Sequence, residues 1–182
     1  TIPVHCYTSF KKAELFLNGK SQGIREKDPT HLYTTYRLVW DVPYEPGELK
    51  VVALDENNHP RKEAVIKTAG VPAAIRLEAL SDTITADGKE LAFVTVSVVD
   101  EQEVLCPKAS SQISFTVEGD GHFKAVGNGD PTSLESFIKP TRRTFNGKCM
   151  VYLQSTDKAG SMKLKATAEG LQSSQIIIPS VK

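Results

Sequence analysis

No apolar stretch among the 182 residues approaches the roughly 20 needed to cross a bilayer as a helix, and no basic segment followed by an apolar one opens the chain. No membrane insertion is expected. The missing leader says nothing about compartment, because an export signal would lie upstream. Net charge is lacking too: 22 basic residues balance 22 acidic ones, and no Lys/Arg block would recruit nucleic acid or an anionic membrane. Cysteine is scarce, with only Cys6, Cys106 and Cys149, no CxxC pair and no histidine at zinc-site spacing. Three are too few for a disulfide scaffold. Cys149 alternates with Val151 and Leu153, which predicts a buried free thiol; a Cys106–Cys149 bridge stays open. A sustained helical period is absent throughout.

What is present is period-two alternation. Ala13, Leu15 and Leu17 share one strand face, Leu38, Trp40 and Val42 another. Leu49, Val51 and Ala53 follow the Pro46-Gly47 turn, and Ala64 with Ile66 closes a first group. A second series runs through Ile75–Ala79, the valine-rich stretch Ala92–Val98, then Ile113, Phe115 and Val117, then Cys149 to Leu153, Met162 to Ala168, and Ile176 with Ile178. Turn signals separate them, Asn18-Gly19, Asp87-Gly88, Asn146-Gly147 and Glu169-Gly170 among them. Asn18-Gly19 is the sharpest, since a two-residue hairpin turn needs positive φ at both central positions. The pattern predicts an all-β chain folded as two sandwiches, residues 1–70 and 72–182, divided at Ala69-Gly70-Val71-Pro72.

Glu14-Leu15-Phe16-Leu17-Asn18-Gly19-Lys20, followed by Val42-Pro43-Tyr44-Glu45-Pro46-Gly47-Glu48-Leu49, resembles the small immunoglobulin-like sandwich behind the catalytic barrel of bacterial family 2 glycoside hydrolases, the β-galactosidase group. Residues 72–182 resemble the terminal domain of the same enzymes, where Ala86-Asp87-Gly88, Phe93-Val94-Thr95-Val96, Gly127-Asn128-Gly129-Asp130-Pro131 and Phe145-Asn146-Gly147 recur in that order. That half is also similar to invasin-type bacterial immunoglobulin-like domains. Cys106-Pro107 departs from the family, which has a small or apolar residue before the proline. The resemblance implies two tandem immunoglobulin-like sandwiches, non-catalytic, at the C-terminal end of a periplasmic or extracellular hydrolase that retains configuration. Its partners would be upstream domains of the same polypeptide and galactoside-containing glycans. The first domain, about 70 residues against about 100 for such a sandwich, is expected either to lack its opening strand or to lean on an upstream neighbour. Thr1 opens without an initiator Met, directly before the strand-like Ile2 to Tyr7, which gives the same expectation.

Retaining hydrolysis needs two carboxyl groups about 5–5.5 Å apart, one with a raised pKa. Glu45, Glu48, Asp130 and Glu135 lie in hydrophilic turn contexts instead, so no catalytic residue is expected. His5, His31, His59 and His122 are scattered without second ligands, and Asp120, Asp130 and Asp157 read as turn aspartates bonded to their own backbone, so neither metal nor cofactor is expected, although a calcium cage completed by turn carbonyls stays open. The aromatic concentration is Tyr33, Tyr36, Trp40 and Tyr44. Trp40 shares a core face with Leu38 and Val42, which leaves Tyr33, Tyr36 and Tyr44 as candidates for glycan contact. The Gly127 to Pro131 segment lacks the lysine and following helix of a phosphate loop. It reads as a structural loop or, through Asn128, Gly129 and Asp130 with Arg142 and Arg143, as a surface that docks onto another domain. Two further roles compete with domain packing: a carbohydrate-binding module, and an adhesin-like spacer.

Overall fold

The computed structural model describes all residues 1–182, and they form fifteen strands and no helix. The chain divides into two compact units, Thr1–Thr68 and Ala69–Lys182. Both are β-sandwiches, and the fold class is all-β.

The first unit contains β1 (Ile2–Cys6), β2 (Lys12–Leu17), β3 (Lys20–Glu26), β4 (Leu38–Val42), β5 (Glu48–Leu54) and β6 (Pro60–Lys67). β1 and β4 pair as a two-stranded sheet; the other sheet has the order β3-β2-β5-β6. Its core joins Ala13 and Leu15 of β2 to Leu38, Trp40 and Val42 of β4, with alternate residues facing inward as a strand requires. Trp40 is 1% exposed, and its indole Nε1–H donates to the Gly23 carbonyl at 2.9 Å. Gly23 is available because β3 bulges there: the β2–β3 register slips between Glu14 and Phe16, and Gly23 takes φ 89°.

Asn18 and Gly19 adopt φ 50° and 78°, the doubly positive turn expected from their sequence. Asn18 does more than turn the chain. Its Oδ1 accepts from Glu48 N at 2.8 Å, its Nδ2 donates to Pro46 O at 3.1 Å, and its own N–H donates to Glu48 O at 2.8 Å. It therefore clamps the β2–β3 hairpin to the Pro46-Gly47 turn, so the two family-like phrases of this unit are one physical device. Gly47, at φ 135°, leaves room for that clamp, since a Cβ there would run into the Asn18 amide.

The second unit contains β7 (Ala74–Ala79), β8 (Ile84–Thr85), β9 (Leu91–Val99), β10 (Gln112–Gly119), β11 (Gly121–Gly127), β12 (Thr141–Arg143), β13 (Lys148–Ser155), β14 (Gly160–Ala168) and β15 (Leu171–Val181). They follow the path β11-β13-β9-β7-β15-β14-β10-β12, with β8 beside β15. All neighbours are antiparallel except β15 with β7 and with β8, which are parallel. The path folds over one core in which Val94, Val96, Val98, Val151 and Leu153 meet Ile113, Phe115, Met162, Leu164 and Ile178. β9 is the central strand that its valines predict.

β6 forms, yet all eight of its residues are exposed, Ile66 to 69%, because the two-stranded sheet is too narrow to cover it. β8, β11 and β12 were not legible: β8 and β12 have only two and three residues, and β11 intersperses glycine and charge among its apolar positions.

Candidate functional site

The loop that links β11 to β12 is organised by a buried arginine. Consecutive strand residues point to opposite faces, so Arg142 and Arg143 on β12 cannot both face solvent. Arg142 is the one turned inward, at 1% exposed. Its Nη2 donates to Asn128 Oδ1 at 2.9 Å and its Nη1 to the Glu135 carbonyl at 2.9 Å, while its guanidinium carbon lies 5.0 Å from the Phe137 ring centroid. The Glu135 carboxylate stands 3.8 Å from Nε, which has no hydrogen-bond partner. Asn128 returns a bond from Nδ2 to Arg143 O at 2.8 Å and accepts from Asp130 N at 3.0 Å. Gly129 takes φ 76° in open space.

Arg142 therefore has no free side chain to offer another domain, because its charge is satisfied within its own loop. Arg143 is exposed, with Nη1 donating to Ser110 O at 2.9 Å. Glu135, which the sequence places in solvent, instead accepts from Gln112 Nε2 at 3.2 Å and from Arg143 N at 3.3 Å. Asp130 accepts from the Thr132 N–H at 2.9 Å and hydroxyl at 2.8 Å, and these bonds hold its carboxyl below the usual carboxylate range. That is the reverse of what a general acid needs. The loop also exposes Leu134 fully and Ile138 to 78%.

The three candidate tyrosines are all exposed, but they are not gathered into one platform. Tyr33 and Tyr36 lie on the β3–β4 connection, with the Arg37 guanidinium 5.7 Å from the Tyr33 ring. Tyr44 follows the far end of β4. Five strand residues separate the two ends, roughly 15 Å at strand rise. Tyr44 lines a different feature, an apolar groove of about 220 Å³ between the two sheets of the first unit, with Ile2, Val4, Val42, Leu49 and Ile66.

No group of three or more His, Cys, Asp or Glu converges as a metal site. The three cysteines are free thiols, with Cys106 and Cys149 buried and Cys6 partly so. Burial pushes the Cys149 thiol up to about 12. None of the three is poised as a nucleophile.

Residues 75–177, more than half of the chain, match the family described as glycoside hydrolase family 2 C-terminal domain 5. Residues 1–60 match a family described only as a domain of unknown function. Among curated proteins the chain is 46% identical to "Beta-galactosidase BoGH2A" of Bacteroides ovatus over 166 residues, which is 91% of this chain and 19% of that protein. It is 28% identical to a "Putative beta-glucuronidase" of Formosa agariphila over 155 residues, 85% of this chain and 15% of that protein. The chain thus spans less than a fifth of the length of either. A solved glycosyl hydrolase family 2 member from Bacteroides cellulosilyticus superposes with a TM-score of 0.90 at 33% identity, covering 99% of this chain and 23% of that one. A family match of this extent, on a sandwich that superposes this closely, places the chain: it belongs to glycoside hydrolase family 2, as a C-terminal region.

Proposed function

We propose that this chain is the non-catalytic accessory end of a periplasmic or extracellular retaining β-galactosidase, where it packs against upstream domains of its polypeptide and helps position substrate. The observation that carries the packing role is the groove of the first unit. Ile2, Val4, Val42, Leu49 and Ile66 line it, and Ile66 is 69% exposed on an inner sheet face that β1 and β4 do not reach. Apolar surface left open in this way is stabilised by a covering neighbour. The β11–β12 loop, which carries Asn128, Gly129 and Asp130 and leads to Arg143, offers a second docking surface and exposes Leu134 and Ile138. For the galactoside preference, the support is that the more similar of the two curated relatives carries β-galactosidase in its name.

The packing role is tested by comparing the 182-residue chain with a longer polypeptide that includes the upstream domains. An environment-sensitive apolar dye should bind the short chain at this groove and lose that site in the long one, with slowed amide exchange in β1 and β6. Equal dye binding and equal exchange in both would contradict it.

A further inference from the structure

We infer that the outer face of the β11-β13-β9 sheet in the second unit is a saccharide-binding cleft, separate from the three exposed tyrosines of the first unit. One rung of residues floors it and a second flanks it, reaching the cleft through Tyr152. Gly127, Met150 and Thr95 lie opposite one another across the three strands, and Ala125, Tyr152 and Phe93 form the next rung on the same face. Tyr152 and Phe93 meet edge to face, with centroids 5.3 Å apart at 78°. Phe137 stands over Gly127 as a wall, near enough that a Cβ there would touch its ring at 3.8 Å. The space over it amounts to about 500 Å³ and is open to solvent on one side.

Its lining mixes rings with residues that carry hydrogen-bonding groups, Thr95, Tyr152 and Lys148, while Asn128 at its edge is already bonded to Arg142, Asp130 and Arg143. That combination suits a pyranoside, which presents an apolar C–H face and a rim of hydroxyls. It does not suit an acyl chain, which would bring no partners for the polar groups. The site is also held in shape before any ligand arrives. Arg142 binds Asn128 on one lip and underlies Phe137 on the other, and Val126 N donates to Phe137 O at 2.8 Å. Pre-ordering of this kind reduces the entropy lost on binding. Arg142 is thus a positioning residue for the cleft, acting through Asn128 and Phe137.

The 182-residue chain, labelled with nitrogen-15, can be titrated separately with a β-galacto-oligosaccharide and a glucuronate-containing oligosaccharide. The amide signals of Gly127, Gly129, Met150 and Thr95 should shift with at least one of them, with a Kd on the order of 0.1–1 mM. Phe137→Ala, at a site already 60% exposed, should keep its thermal unfolding transition and weaken binding at least about tenfold, as should Tyr152→Ala. Preference for the uronide, removed by Lys148→Gln, would assign an acidic sugar; equal binding of both would assign a neutral ring. No shift at these amides up to the order of 10 mM of either sugar, or shifts confined to Tyr33 and Tyr36, would overturn the inference. The accessory role does not depend on this result, because glycan binding and hydrolysis are measured separately.

Discussion

Arg142 carries a full charge inside the second unit, and its stability role follows from what its removal would leave behind. With Arg142→Met, Asn128 Oδ1 and the Glu135 carbonyl each lose a donor, and the Glu135 carboxylate loses its nearest buried cation. Leaving such groups unpaired should destabilise the unit by about 2–4 kcal/mol. Urea unfolding measures this, and a loss below about 0.5 kcal/mol would mean that the loop satisfies itself in another way. Cys149 makes a different prediction. Burial raises its pKa to about 12, so the neutral thiol is the native form. Its contribution to stability is complete below the unfolded thiol pKa near 9 and is lost as pH climbs toward 12. At pH 8 a chromogenic disulfide reagent should therefore react first with Cys6, while Cys149 and Cys106 wait for unfolding. Three equally fast thiols would contradict the burial.

Among the turns, the β9–β10 connection depends on a single carboxylate. Asp100 closes it by accepting from the backbone N–H of Gly70 at 2.6 Å and of Gln102 and Val104 at 2.9 Å each. Those bonds, led by the one from Gly70, hold its pKa below the ordinary carboxylate value. A depressed pKa contributes stability that is present above the unfolded value near 3.9 and is lost as pH falls through the folded one. The stability difference between wild type and Asp100→Asn should accordingly shrink as urea unfolding is moved from pH 7 into the acid range; a difference that does not change with pH would refute this. Elements of this kind differ in how far they could be read beforehand. Asn18-Gly19 announced its hairpin because few residue pairs tolerate two positive φ values, and the Ala92–Val98 run announced a central strand by its length and its valines. The clamp from Asn18 to Glu48 was hidden, since it joins residues 30 apart in sequence. Arg142 was hidden for another reason. Arginine is usually exposed, and β12 is too short to announce the alternation that turns one of two adjacent arginines inward.

At the scale of the whole molecule, both units are sandwiches, but they differ in closure. The second surrounds its core with its own strands, whereas the first leaves apolar residues of β1, β5 and β6 open in a groove. Two carboxyl groups arranged for retaining hydrolysis would need one held neutral near pH 7. Among the carboxyl candidates, Asp130 is held ionised by its Thr132 bonds, and Glu135 is tied to Gln112 and Arg143. Family membership was legible because its phrases are turn and strand segments whose backbone demands few other sequences meet. The candidate tyrosines form no single platform, because they fall at opposite ends of one strand. The central claim, that this chain supplies no catalytic group, is tested most directly by incubating the purified 182 residues with chromogenic β-galactoside and β-glucuronide substrates. Release of chromophore should equal the blank for both; turnover above the blank that co-purifies with the chain would contradict the account.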